Sequence, residues 1–250
     1  MDNQDKTAYF YEIHQDLPRQ GPGSFESTRK AFSLLTDLPL NPRILDIGCG
    51  PGKQTLDLCK LTSGSIIGLD NHLPYIEILR HKVFENRLTK RVSVILGNMF
   101  FLPFCKNCFD IIWAEGSIFL IGFKRGLQEW RGLIKKGGYI AVTEISWIRN
   151  NIPEELVTYW AEYYPAMQHV DDNLRIIEET DYQNIAHFII PESDWWHDYY
   201  KSLEARFISL YDKYKDNNEM KALIKMEEQE IDMYRQYSDY YGYVFYIARF

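Results

Sequence analysis

The segment Arg43–Thr55, RILDIGCGPGKQT, places Gly48, Gly50 and Gly52 at alternate positions, directly after a short apolar run that carries Asp46. Glycine admits positive φ and removes the side chain that would hold a ligand off the backbone. A glycine-rich turn behind the first strand of an α/β sheet binds ligands at the strand's carboxyl end. Dinucleotides need G-x-G-x-x-G there, so that pyrophosphate lies on the N-terminus of the next helix. Here the spacing is G-x-G-x-G, and Lys53 stands where the third glycine would be. Asp46, two residues ahead of Gly48, would repel phosphate. The pattern disfavours a nicotinamide or flavin dinucleotide and suits a cationic ligand.

Other residues carry chemistry more loosely. Glu115 and Glu144 close the apolar runs FDIIWA and YIAVTE; each is a candidate general base or a structural capping carboxylate. His14 and His169 could reach a site from flanking segments or pack as ordinary helix and surface histidines. Cys105 and Cys108 form a C-x-x-C without a second Cys or Cys/His pair at zinc spacing. A metal centre and a redox pair are the alternatives to bland loop cysteines, which are the default, and no metal is expected. Fourteen of the 18 tyrosines lie beyond residue 150. They read as core and dimer packing, or as an aromatic wall for a flat or cationic acceptor, since ring faces attract cations. Trp147, Tyr9 and Tyr11 are the aromatics expected to face that acceptor.

The elements that must position these residues follow a strict alternation. An aromatic lead-in and the loop LPRQGPGS precede a helix over about 25–36, capped by Ser24 or Ser27. Strands are expected at 43–47, 65–70, 92–97, 109–114 and 139–144, with helices at 52–61, 73–88 and 123–138. Pro74 suits a first helical turn, and Gly137–Gly138 are read as the stop of the 123–138 helix. The strands are apolar on both faces, as when helices cover both sides of a parallel sheet. Helices at 153–167 and 171–182, a strand at 184–190, a long helical stretch at about 194–237 and a terminal strand at 240–250 complete the chain. This is a doubly wound α/β fold. It reads as one domain over 1–250, with N-terminal cap helices (1–40), a core (41–147) and an elaborated C-terminal half (148–250).

Composition narrows the function. The chain has 250 residues, 46% hydrophobic and 25% charged, as in ordinary globular proteins. A net charge of −7 disfavours a nucleic-acid partner, which needs a basic face. No run of 18 apolar residues occurs, so no membrane span is expected. The polar, acidic N-terminus does not look like a signal peptide. Four cysteines make no disulfide framework, and a reduced, cytoplasmic protein is the expectation.

Taken together, LDIGCGPGKQT, IIGLD, LGNM and FDIIWAEG resemble the motifs of class I methyltransferases that use S-adenosylmethionine (SAM), over roughly residues 40–147. LPRQGPGS, WAEGSIFLIGFKRGLQEW, LIKKGGYIAVTEISW and YYGYVFYIA further resemble a bacterial and archaeal small-molecule subgroup near the ubiquinone/menaquinone methyltransferases. The resemblance implies a seven-stranded, mostly parallel sheet of order 3-2-1-4-5-7-6 with its last strand antiparallel. It also implies a helical insertion between strands 6 and 7, forming a lid or dimer surface. It implies SAM as cofactor, bound as follows. Asp46 orients the loop and the methionine end, and Gly48, Cys49, Gly50 and Gly52 form the cradle. Asp70 accepts from the ribose hydroxyls. Asn71, with His72, edges the adenine. Asn98, where many relatives carry Asp, and the Met99 N–H meet the adenine. Glu115 lies beside the transferable methyl group and is the candidate catalytic residue. Arg19 and Gln20 contact the cofactor or gate it. The acceptor is a small molecule, and a homodimer is compatible with this reading. A SAM-binding protein without transfer activity, an oxidoreductase of NAD type and a nucleic-acid methyltransferase are the other readings.

Overall fold

A computed structural model describes residues 3–250, so the first two residues of the expected lead-in lie outside the described residues. Helices α1 (Asn3–Ile13) and α2 (Phe25–Ser33) precede the alternating core. That core runs β1 (Arg43–Ile47), α3 (Lys53–Leu61), β2 (Ser65–Asp70), α4 (Leu73–Glu85), β3 (Val92–Leu96), β4 (Phe109–Ala114), α5 (Phe123–Arg131) and β5 (Ile134–Trp147). Then come α6 (Glu154–Tyr163), the two-residue β6 (Gln168–His169), α7 (Val170–Glu179) and β7 (Gln183–Ile189). The chain ends with α8 (Ser193–Trp195), a π turn (Trp196–Tyr200), α9 (Lys201–Lys213), α10 (Asn218–Tyr237) and β8 (Tyr241–Arg249).

The sheet order is β3-β2-β1-β4-β5-β8-β7, with β6 paired to the end of β5. Setting that short pairing aside, this is the expected 3-2-1-4-5-7-6. Strands β1 to β5 pair in parallel, and β8 runs antiparallel between β5 and β7. Successive residues of one strand enter opposite cores. Ile44, Ile111 and Phe245 face the layer with Leu58, Ile76, Leu203 and Ile224, whereas Leu45, Ile112 and Val244 face Leu127, Trp130 and Ile177. The strands therefore lack polar alternation because both faces are covered.

The structure departs from the sequence reading at several points. Helix α5 stops at Arg131, and the strand after it begins at Ile134. Gly137 and Gly138 are strand residues beside a register shift between Phe109 and Ile111. Gly137 has φ +80°, and a Cβ on Gly138 would stand 2.7 Å from the Asp110 carbonyl. The glycine pair serves a close strand approach rather than a helix stop. The stretch 194–237 is not one helix, because it breaks before Asn217, whose side chain accepts from the Glu219 and Met220 amides and caps α10. Finally, Cys105 and Cys108 are joined in a disulfide, not left as separate thiols. Asn107 at φ +54° tightens the turn, and the Cα atoms lie 5.8 Å apart, within bridging reach. A loop this short adds little constraint to the unfolded chain. Ser24, as expected, caps α2 by accepting from the Ser27 amide.

Phe245 is fully buried at the centre of β8, edge-on to Trp113 (5.5 Å) and stacked with Phe188 (5.4 Å). Phe245→Ala is expected to cost about 3–5 kcal/mol in urea unfolding with an unchanged denaturant slope. A cost below about 1 kcal/mol would show that β8 is not central to the core.

Candidate functional site

All three loop glycines lie in the left-handed region, at φ +73° for Gly48, +52° for Gly50 and +89° for Gly52. Their surroundings differ. A Cβ on Gly48 would stand 2.5 Å from the Cβ of Ser117, whose hydroxyl donates to the Ile47 carbonyl (2.6 Å). A Cβ on Gly52 would overlap Leu79 of α4. Protein packing thus excludes side chains at these two positions. At Gly50 the nearest atom is Cγ of Gln20 at 3.5 Å, an ordinary contact with a flexible side chain, so here packing does not exclude a side chain.

The loop amides are held by the end of β2. Gly48 and Cys49 both donate to the Leu69 carbonyl (2.8 and 3.0 Å), and Gly50 donates to Asp70 Oδ2 (2.9 Å). Asp70 Oδ1 accepts from the His72 amide (2.9 Å). Burial raises the Asp70 pKa, while these amide donors pull it back. Asp46 is fully buried: its Oδ2 accepts from Thr55 Oγ1 (2.5 Å) and its Oδ1 has no partner. Burial pushes its pKa up to about 7. The Cys49 thiol is buried beside Gly68 and contributes nothing to the crevice wall.

Glu115 ends β4 in a latch. Its Oε1 accepts from Thr28 Oγ1 and Trp113 Nε1 (2.8 Å each), and its Oε2 from Arg19 (3.1 Å). The other end of the Arg19 guanidinium donates to Asp57 (3.1 Å), and Asp57 also takes Lys53 and Lys60. The expectation of Glu115 as a base therefore meets a carboxylate already engaged by three donors. Gln20 is held by Tyr75, which donates to its Oε1, and by the His14 carbonyl, which accepts from its Nε2 (3.2 Å). The PRQGPG loop thus docks α1 onto the core and lays Gln20 over Gly50.

The remaining expected residues divide. Tyr11 stacks on His72 (3.4 Å, 9°) at the rim above Asp70, while Asn71 is exposed. Asn98 is exposed and accepts from the Phe100 amide (3.0 Å); Met99 reaches the Gly48 turn with its side chain and accepts from Trp130 through its carbonyl (3.3 Å). Tyr9 is structural: it stands edge-on to Tyr214 and accepts from Asn217 (2.8 Å). Trp147 is buried against Tyr241, and His169 is half-buried at the start of α7. His14 is buried, with Nδ1 on the Phe10 carbonyl (2.9 Å) and Nε2 on Tyr199 (3.4 Å), and burial lowers its pKa. Glu144 is buried, takes the Tyr164 hydroxyl (2.7 Å) on one oxygen and leaves the other without a partner; burial pushes its pKa up to about 8.

Sequence reasoning missed Ser117, Thr55, Tyr75, Tyr243, Glu227 and Glu230. The hydroxyl of Tyr243 lies 4.0 Å from where a Cβ on Gly116 would be, at the end of β4. Glu227 and Glu230 of α10 lie among His14, Tyr199 and Tyr200, and burial raises both pKa values. The i, i+3 spacing of the two glutamates and the run of C-terminal tyrosines were the available signals. A cleft of about 890 Å³ lined by Asn107, Lys136, Asp181 and Arg249 lies elsewhere and contains none of these residues. Among the described residues no group of three or more His, Cys, Asp or Glu is arranged to hold a metal ion, and no helix is long and apolar enough to cross a membrane.

A family profile described as "Methyltransferase domain" matches residues 41–206. The chain belongs to this family. The methyltransferase domain is 26% identical over 151 residues to methyltransferase GfsG of Streptomyces halstedii, covering 58% of this chain and 54% of that one. It is 34% identical over 127 residues to a demethylmenaquinone methyltransferase of Lactiplantibacillus plantarum, covering 50% and 54%. The chain thus spans about half the length of these relatives. A solved SAM-dependent methyltransferase from Geobacter sulfurreducens, in complex with S-adenosyl-L-homocysteine, superposes with a TM-score of 0.80 at 16% identity, covering 96% of this chain and 97% of that one. At that identity the likeness is one of fold.

Two outcomes follow for the methyltransferase domain. Arg19 and Glu115 are 4% and 9% exposed. Glu115→Ala is expected to cost about 1–3 kcal/mol by leaving Thr28, Trp113 and one side of the guanidinium without their acceptor while Asp57 still pairs Arg19, Glu115→Gln less; equal stability of all three forms in urea would show the latch to be idle. The second concerns pH. Asp46, Glu144, Glu227 and Glu230 hold protons in the folded state that the unfolded chain has released, so their contribution to stability falls as pH rises through the raised values. His14 works with the opposite sign, its buried neutral form costing stability only below its unfolded pKa of about 6.5. The ligand-free Tm should therefore fall from about pH 6.5 to 8.5 in calorimetry. A flat or rising profile would mean these carboxyls are ionised throughout.

Proposed function

We propose that this chain is a SAM-dependent methyltransferase that transfers the methyl group of SAM to a small-molecule acceptor. One observation carries the reading: the amide of Gly50, whose only near neighbour is the Gln20 side chain, is fixed on the Asp70 carboxylate at the end of β2, with a second acid, Asp46, buried at the base of the same loop. A phosphate would be repelled there. A cationic, phosphate-free nucleoside joined to an amino acid fits the donor and charge requirements.

SAM, when bound, supplies a methyl carbon already activated by its sulfonium. The chain supplies position and field. Asp70 retains lone pairs beyond its two amide bonds and would take the ribose hydroxyls, in charge-assisted bonds of roughly 1.5–3 kcal/mol each. Asp46 acts on the methionine end by fixing the loop, which Gly48, Cys49 and Gly52 shape. Asn71, Asn98 and Met99 would edge the adenine, and the Asn98 amide can both donate and accept there. Gln20, under Tyr75, closes over Gly50, and Arg19 with Glu115 positions that closure. Holding both reactants in line is worth on the order of 7–11 kcal/mol. Glu144 keeps one oxygen without a partner, whereas the carboxylate of Glu115 is engaged by three donors. Residues 41–147 would carry the cofactor, and 1–40 with 148–250 would enclose the acceptor. SAM is a cytoplasmic metabolite, so the cytoplasm is the proposed setting.

Calorimetry should show S-adenosylhomocysteine (SAH) binding and no NAD binding, with Asp70→Ala weakening SAH at least about tenfold in a folded protein. Unchanged affinity in Asp70→Ala would displace the site from β2. Labelled SAM incubated with a metabolite extract should yield a methylated product; SAH binding without any product would leave a SAM-binding protein without transfer activity.

A further inference from the structure

Cys105 and Cys108 take no part in the site described above. They are bonded to each other across the turn that leads into β4, with Cα atoms 5.8 Å apart. The two sulfurs differ in access. Cys105, Lys106 and Asn107 are exposed, whereas Cys108 is 8% exposed and belongs to the same core as Phe109 and Leu133. The other two cysteines, Cys49 and Cys59, are buried thiols. Cys105 is thus the cysteine that solvent reaches. Asn107, inside the bonded pair, also lines the cleft of about 890 Å³, which leaves room on that side for a small molecule.

The inner half of the turn is held without the sulfur bridge. The Asn107 and Cys108 amides donate to the Gly132 and Leu133 carbonyls (3.0 and 2.9 Å), so β4 starts in place whether or not the sulfurs are joined. The outer half, 100–106, is held differently. Its backbone bonds are local: Phe101 donates to the Asn98 carbonyl (3.0 Å) and Phe104 to the Leu102 carbonyl (2.9 Å). Ring packing supports it, with Phe104 edge-on to Phe109 (5.2 Å) and Arg125 over Phe100 (5.1 Å). The covalent tie to β4 is the disulfide. This segment follows directly on Asn98 and Met99, and Met99 reaches the Gly48 turn. So short a bridge stabilises a fold little. Exposed bridges are the ones that thiols open, whereas structural disulfides resist the glutathione pool. In a reducing compartment, disulfides are mostly transient, catalytic or redox-sensing.

We propose that Cys105 and Cys108 are a reversible redox couple: a small thiol of the glutathione class exchanges at Cys105, and opening the bond loosens the loop that carries Asn98 and Met99. The incoming thiolate attacks Cys105 Sγ, the accessible sulfur. A new S–S bond forms there as the Cys105–Cys108 bond breaks, its electron pair leaving on Cys108 Sγ, which takes up a proton. A second thiolate attacks the external sulfur of the mixed disulfide and releases Cys105 as a thiolate. Two external thiols are thereby oxidised to one disulfide while the protein pair is reduced to two thiols, and oxidised glutathione runs the sequence backwards. The couple goes beyond the methyltransferase reading; its effect on the cofactor alone rests on that reading.

The test incubates the full chain with reduced or oxidised glutathione, blocks free thiols with N-ethylmaleimide and maps the adducts by mass spectrometry. The pair should open in reduced glutathione and close again in the oxidised form, with Cys49 and Cys59 unmodified. Oxidised glutathione should place its adduct on Cys105 in Cys108→Ser, and should modify Cys108 about tenfold less in Cys105→Ser. On opening, amide hydrogen exchange over 100–106 should quicken about fivefold or more while β4 stays protected. SAH affinity should fall about threefold or more, because the ligand must then order the loop. The double variant, Cys105→Ser with Cys108→Ser, should match the opened chain and ignore glutathione. A pair that reduced glutathione leaves closed is a structural disulfide, and one that oxidised glutathione leaves open is two unconnected thiols; either overturns the proposal, as does equal exchange over 100–106 in both states. Unchanged SAH affinity alongside quickened exchange would overturn the loop's link to the cofactor. Failure of SAH to bind in either state would instead sink the methyltransferase reading, and the mapping and amide exchange would still decide the couple.

Discussion

Asp70 joins three segments that share no sequence neighbourhood. Its carboxylate takes the Gly50 amide of the first loop and the His72 amide at the head of α4, while its backbone carbonyl takes the Gly97 amide ahead of Asn98 and Met99. One residue at the end of β2 thus sets the spacing of the crevice's floor, side and far wall. The parallel register that seats Ile47 beside Leu69 makes this possible, because it brings both strand ends to one level. An antiparallel neighbour would put a strand start there, and the carboxylate would have no loop to hold.

A second constraint is the distribution of buried charge. Acids outnumber buried bases around the crevice, and the structure treats them in two ways. Glu115 is neutralised by the Arg19 guanidinium, which also joins Lys53 and Lys60 on Asp57, so the N-terminal segment cannot detach without stranding Glu115. Asp46 and Glu144 have no ion-pair partner, and burial raises their pKa values. The first group is a structural latch. The second stays buried by holding protons that an exposed carboxyl would release.

The C-terminal half shows how aromatic packing assembles separate helices into one cover. Trp195 stacks on Tyr234 (4.0 Å) and meets Tyr200, Tyr241 and Tyr243, so the π turn, α10 and β8 share one aromatic hub. Asp194 anchors the same region to the front of the chain through Ser27 (2.5 Å) and the Gly23 amide (3.1 Å). The cover and the latch are therefore one assembly, resting on both ends of the sequence.

Much of this was legible beforehand. The two-sided apolar strands, their alternation with helices and the glycine spacing fix a doubly wound sheet, because local periodicity and turn chemistry report directly on which faces are covered. The sequence also placed Asp46, Gly50 and Asp70 at strand ends, where parallel topology must gather them. It misjudged Gly137–Gly138, since a glycine needed for close strand approach looks the same as a helix stop. It also could not tell that Gly48 and Gly52 are bare because of Ser117 and Leu79, or that Glu115 belongs to Arg19 some ninety residues away. Composition and spacing determine what a segment becomes. Which carboxylate is paired and which is left free is a property of three-dimensional neighbours, so only the tertiary structure decided it.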